Sequence, residues 1–266
     1  MQNKLTTEFF YQLFALLFSL IVIHTLYVAI VRPNAEATLA VQLERQALGE
    51  QFVPKRSVYV VMRDYEQESC LVLMLWAIAI MGYKAKNTLK EYSLLQQPLI
   101  KVVEGTSILP EDCREYSRPL EALSQQQQSF LLPRVLLSTL QRFGCTGNIQ
   151  DASTTLRDHC ETEADRLDSE LAMVRYICWA IPSIGFIGTV RGIGDALGQA
   201  YRAVDGDIGG VTVSLGVAFN STFVALVISI VIMFMVHQLQ LLQERLVLDA
   251  QQYCENNLIR HLMVRT

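Results

Sequence analysis

The chain has 266 residues, of which 51% are hydrophobic and only 18% charged, and its formal net charge is −4. A soluble domain carries about 25% charged residues; here the deficit comes from a few long apolar runs, the mark of membrane-spanning helices rather than of a larger core. The acidic balance gives no hint of nucleic-acid binding, and no basic patch interleaved with aromatics is present.

The first apolar run, FFYQLFALLFSLIVIHTLYVAIV, covers Phe9 to Val31. It reaches about 34 Å at 1.5 Å per residue, enough to cross the hydrocarbon layer. Its apolar core is too long for a cleaved signal peptide, so an uncleaved helix is predicted. A loop is predicted from about Arg32 to Ser69. The second run, CLVLMLWAIAIMGY, spans Cys70 to Tyr83. It is short for a span, and Gln67 to Ser69 with the snorkelling Lys84 and Lys86 extend it.

Residues 84–173 are polar and amphipathic. Leu120 to Phe143 reads as a helix interrupted near Pro133, and CTGN at Cys145 to Asn148 as a turn. Leu156, Cys160, Ala164, Leu167, Leu171 and Val174 then recur at steps of three and four, an apolar stripe on one helix. No breaker stands before Pro182, so this helix is predicted to run unbroken into a third span, Val174 to Ala200. The fourth span is Val211 to Val236. The short loop YRAVDGDIGG between them makes the two an antiparallel hairpin. Gln238 to Leu248 continues as an amphipathic helix.

The predicted fold is an all-α integral membrane protein with four transmembrane helices and a helical cytoplasmic domain. Residues 1–83 hold the first two spans and a periplasmic loop at about 32–69. Residues 84–173 form the cytoplasmic domain, 174–236 the hairpin, and 237–266 a cytoplasmic C-terminal helix. Lys84, Lys86, Lys90 and Lys101 after the second span, and Arg157, Arg166 and Arg175 before the third, place the large segment inside. The first loop also carries five basic residues, so the count supports this topology only in part. No internal repeat is present, which disfavours an inverted-repeat transporter.

The hairpin holds the informative residues. The third span reads IPSIGFIGTVRGIG from Ile181 to Gly194, unusually rich in residues that weaken helices. Pro182, Gly185, Thr189, Gly192, Ala196 and Gln199 share one narrow face. On the fourth span Ser214, Ala218, Ser221 or Thr222, Ala225 and Ser229 do the same. Two such seams of small residues allow close backbone approach. Ordinary helix packing accounts for the spacing alone; the hydroxyls point further. Thr189 and Thr222 lie about mid-span, with Asn220 and Ser221 beside the latter, and polar side chains at that depth require a partner or water.

Neither seam carries a carboxylate, and proton passage generally needs a titratable relay. The acid within the inner spans is Asp195, four residues after Arg191, a spacing that predicts an i,i+4 structural ion pair. His24 stands alone in the first span. An ion pathway here therefore requires an acid from another chain. Enzyme signatures are missing: GIGDAL at Gly192 to Leu197 lacks the last glycine of a dinucleotide fingerprint, and there is no GKS/T loop, HExxH or GxSxG. The six cysteines form no CxxC pair and no zinc spacing, so free thiols, no metal and no cofactor are expected.

The stretch GTVRGI, Gly188 to Ile193, with Pro182 seven residues before Thr189, resembles the MotA/TolQ/ExbB proton-channel family, as does Thr222 with Leu226 in STFVAL. The likeness is strong over roughly Arg166 to Arg245. It implies a homopentamer in a bacterial inner membrane, surrounding two helices of a single-span partner like MotB, TolR or ExbD whose aspartate supplies the missing acid. By that resemblance Thr189, Thr222, Ser221 and Asn220 belong to the pathway for transported H⁺ or Na⁺. Pro182, Gly185, Gly192, Ala196, Ala218, Ala225 and Ser229 form the surface on which the partner helices turn. Arg191 departs from the tryptophan of TolQ and ExbB, and Asn220 from their small residue. Two other readings are a non-conducting scaffold whose seams only pack, and a small-solute transporter, which the missing repeat disfavours.

Overall fold

The computed structural model describes residues 2–47, 57–100, 106–204 and 208–264. Lys101, the tip of the hairpin loop at 205–207 and part of the first loop at 48–56 lie outside the described residues. The helices, in chain order, are α1 (Gln2–Leu26), α2 (Arg32–Ala47), α3 (Val58–Val61), α4 (Tyr65–Leu95), α5 (Cys113–Glu121), α6 (Gln125–Gln128), α7 (Leu131–Thr146), α8 (Ile149–Glu170), α9 (Ala172–Gly198), α10 (Ala200–Val204) and α11 (Gly209–Asn257). Among the described residues four helical stretches are long and apolar enough to cross a membrane: Thr6–Gln42, Tyr65–Leu95, Ile149–Gly198 and Gly209–His261. The chain forms two compact units, Met1–Met81 with Met173–Val236, and Gly82–Ala172 with His237–Thr266.

In the first unit α1 runs into a π-helical turn at Tyr27–Val31 and on into α2. The predicted loop from Arg32 is thus helical as far as Ala47. The reason lies at Pro33, which has no N–H and collides with the carbonyl four residues back in a regular helix. A widened π turn just before it absorbs that misfit, and the Asn34 side-chain amide donates to the Ile30 carbonyl at 2.7 Å. Helix α4 begins at Tyr65, five residues ahead of the apolar run. It packs on α1 through hydrogen bonds from side chains to backbone carbonyls. Trp76 Nε1 donates to Gln12 O at 2.9 Å, and Tyr11 donates from its hydroxyl to Ala79 O at 3.1 Å.

In the second unit α7 and α8 pack as a hairpin. Gly147 closes α7 in the left-handed region, φ 61°, and its N–H donates to Phe143 O at 2.8 Å. Asn148 then caps α8 by accepting from the Gln150 N–H at 2.9 Å. The CTGN turn is therefore a helix stop followed directly by a helix start. Pro133 does not interrupt its helix: it sits in the first turn of α7, where its missing N–H costs nothing. The breaks fall between α5, α6 and α7 instead. The core joins Leu131, Val135, Leu136, Leu140 and Phe143 of α7 to Leu156 and Cys160 of α8 and Ala250 and Cys254 of α11. Glu163, whose side chain is 4% exposed, receives Arg134 and Arg166, each at 2.5 Å. Arg166 and Lys84 in turn reach Glu170 at 2.8 and 2.7 Å.

The helix predicted to run unbroken into the third span is interrupted at one residue. Leu171, fully buried, separates α8 from α9, and its N–H turns back to the Asp168 carbonyl at 3.1 Å.

Candidate functional site: the α9–α11 hairpin

Helices α9 and α11 meet along the two seams of small residues, and they meet each other. A β-carbon on Gly185 would lie 2.5 Å from Ala225 Cβ, one on Gly188 2.6 Å from Ser221 Cβ, and one on Gly192 2.7 Å from the Ala218 backbone nitrogen. Real Cβ atoms do not approach so closely, so these three positions accept only hydrogen. Gly194 and Gly198 face open space. The seam is closed at its ends by Gln199 Nε2, which donates to Ser214 Oγ at 3.1 Å, and by Ser229 Oγ, which donates to Cys178 O at 3.3 Å.

Within this chain Gly185, Gly192, Ala196, Ala218, Ala225 and Ser229 are buried in its own hairpin, and Pro182 is half-buried. Spacing identifies a face but not what the face looks at. The outward residues of the hairpin are bulky: Phe186, Ile187 and Val190 on α9, and Phe219, Phe223 and Leu226 on α11.

At the centre of the contact, Thr189 Oγ1 and Thr222 Oγ1 hydrogen-bond to each other. Thr189 Oγ1 is also 3.1 Å from Ala218 O and 3.2 Å from Gly185 O, and Thr222 Oγ1 is 3.2 Å from Gly185 O. One hydroxyl donates across the hairpin while the other has a backbone carbonyl to donate to, so the pair is satisfied without a charge. Both threonines are half-buried. Asn220 is half-buried next in sequence but is not among the partners of the two hydroxyls.

Ser221, on the neighbouring face of α11, accepts from Gln67 Nε2 at 3.3 Å. That contact brings α4 to the hairpin, together with acids that lie outside the seams. Glu66 Cγ is 3.1 Å from where a Gly188 β-carbon would be. Arg191 does not pair with Asp195 on its own helix. Its guanidinium grips Glu66 through two contacts of 2.9 Å, with Asp64 at 4.0 Å, and Asp195 is left exposed. The planar guanidinium fork engages the carboxylate with two donors at once.

His24 is not alone either. Its Nδ1 is 2.7 Å from Glu68 Oε1, and Arg32 Nη2 is 2.5 Å from Glu68 Oε2. The stretch DYEQES, from Asp64 just before α4 to Ser69 in its second turn, therefore ties α1, α2, α9 and α11 together. The signal was present in the sequence as alternating acids ahead of the second apolar run, but their partners are remote in the chain. Among the described residues no group of three or more His, Cys, Asp and Glu side chains could hold a metal ion.

The profile of the MotA/TolQ/ExbB proton channel family matches residues 127–252, which include α7, α8, α9 and most of α11. Residues 127–252 belong to that family. Among curated proteins and among solved structures nothing matches it. That match, with four stretches among the described residues long and apolar enough to cross a membrane, supports a multi-pass membrane protein of the proton-channel type. Its class is one of channel subunits and not of enzymes.

Proposed function

We propose that this chain is the channel subunit of an ion-driven motor in a bacterial inner membrane. Five copies surround two helices of a single-span MotB/TolR/ExbD-like partner, and H⁺ or Na⁺ passes between the partner's aspartate and the hydroxyls of Thr189 and Thr222. Ion flow turns one component inside the other. The observation that carries this reading is the hydroxyl pair itself: two mid-span threonines from different helices meet at a half-buried edge, in a setting where an apolar residue would pack as well. The seams have a different role from a sliding surface. They lock α9 to α11 so that the pair presents its hydroxyls at one fixed depth.

The test is proton flux in liposomes holding the chain together with such a partner. Thr189→Val with Thr222→Val should lower flux about tenfold, the equivalent of roughly one hydrogen bond, while thermal unfolding of the hairpin changes little. Undiminished flux in that variant would falsify the reading. The second reading, a non-conducting scaffold, draws support from the mutual burial of the two seams, and predicts no flux through the wild-type complex.

A further inference from the structure

Thr189 and Thr222 have a charged neighbourhood on the side of the hairpin that meets α4. Arg191 follows Thr189 by two residues, about 3 Å along the helix axis. It grips Glu66, with Asp64 at 4.0 Å. The position of a Gly188 β-carbon, one residue before Thr189, lies 2.7 Å from Ser221 Oγ and 3.1 Å from Glu66 Cγ. Charged groups within apolar spans face a bundle interior or water. The side chain of Arg191 is 43% exposed, which calls for water at this depth on the α4 side.

Gln67, next to Glu66, is fully buried. Its Nε2 donates to Val61 O at 3.1 Å and to Ser221 Oγ at 3.3 Å. Val61 O can only accept, which fixes which end of the amide is the nitrogen. The other end, Oε1, is buried with no donor. Native structures pair nearly all such atoms, and an open one asks for a water or an ion.

The surroundings restrict which it is. The nearby N–H and O–H groups are committed: Ser221 Oγ donates to Val217 O at 2.9 Å, and Arg191 turns its fork to Glu66. What is offered is oxygen, from the amide Oε1 and the remaining lone pair of Ser221. A neutral water would leave its own lone pairs open here, whereas a small hard cation, hydronium or sodium, takes oxygen acceptors alone. Arg191 neutralises Glu66, so the cation meets dipoles rather than net negative charge. Such a site binds weakly, as a station on an ion path must. Among the described residues no group of His, Cys, Asp and Glu makes a resident metal site.

We propose that the α4 side of the hairpin is the inlet for the transported ion, with Gln67 Oε1 and Ser221 Oγ as its last station before Thr189 and Thr222. Resting on the motor reading, this route brings the ion in from the flank of the hairpin, past Arg191 and Glu66, and makes α4 part of the pathway.

The test uses the full chain with its partner in liposomes, under a proton gradient and, separately, a sodium gradient. The gradient that drives flux in the wild type says whether the cation is hydronium or sodium. Gln67→Leu, close in volume, should lower that flux about tenfold. Gln67→Glu keeps an acceptor oxygen in place and should retain flux, with a pH step that the wild type lacks. A side chain that only packs would give the reverse order, leucine tolerated and glutamate harmful. Wild-type flux in Gln67→Leu, or flux in Gln67→Glu no greater than in Gln67→Leu, overturns the proposal. If Gln67→Leu fails to fold, Gln67→Glu still decides: a pH profile identical to that of the wild type overturns the inlet. The threonine variants are read separately. Lost flux there with wild-type flux in Gln67→Leu removes the inlet alone. Undiminished flux there with lost flux in Gln67→Leu keeps the inlet and removes the threonines, and no flux through the wild-type complex removes both.

Discussion

Arg191 and Glu66, on helices α9 and α4, form a two-point ion pair with both contacts at 2.9 Å. The side chain of Glu66 is 11% exposed and that of Arg191 43%, so the pair lies between the surface and interior cases. Glu66→Gln or Arg191→Leu should each cost about 1–2 kcal/mol of stability. The exchange Arg191→Glu with Glu66→Arg should recover part of the loss. Unfolding in detergent, read as a double-mutant cycle, measures the coupling; a coupling near zero would show that the contact is incidental.

The glycines of α9 divide into two kinds. Gly192→Ala places a methyl 2.7–2.8 Å from the Ala218 backbone nitrogen and side chain, and should destabilise the hairpin by about 1–3 kcal/mol, the usual penalty for overpacking. Gly194→Ala meets nothing within 4 Å and should be neutral or stabilising by about 0.5–1 kcal/mol, since alanine is the better helix former. Melting temperatures of the two variants should move in opposite directions.

In the second unit, Glu163 is the shared acceptor for Arg134 and Arg166. Glu163→Ala leaves both cations without their main partner and should cost about 3 kcal/mol. Chemical denaturation, followed by the near-ultraviolet signal of Tyr92, Tyr116 and Tyr253, gives the value.

Thiol chemistry gives a check that does not depend on function. Cys113 is buried, and burial pushes its thiol pKa up to about 11, with Asp112 adding to the shift. Cys145, by contrast, is exposed. At neutral pH maleimide should label Cys145 and leave Cys113 untouched in the native chain. Labelling of Cys113 should climb about tenfold per pH unit toward 11, because the thiolate is the reactive form. Mass spectrometry of tryptic peptides distinguishes the two sites.

Periodicity locates both seams of the hairpin and puts Thr189 and Thr222 at similar depth, since helical spacing is a property of one helix at a time. What it does not contain is the partner of each face. Arg191 has an acid one turn away, at Asp195, yet chooses Glu66, 125 residues distant in the chain. His24 is isolated along α1 but meets Glu68 across a helix pair. The continuation of the first helix past Pro33 was concealed for another reason: proline reads as a stop unless the turn before it can widen. The C-terminal region is the reverse case, where an amphipathic pattern after Val236 leads directly to the long α11.

The closed seam has an entropic consequence. Glycine and alanine have no rotamers to lose when they are packed, and serine has few, whereas a buried leucine or methionine gives up about 0.5–2 kcal/mol of side-chain freedom. Gly185, Gly188, Gly192, Ala218 and Ala225 therefore bring α9 and α11 together without freezing side chains. The ordering that remains is chiefly that of the backbone, which each helix has already undergone in forming its own hydrogen bonds.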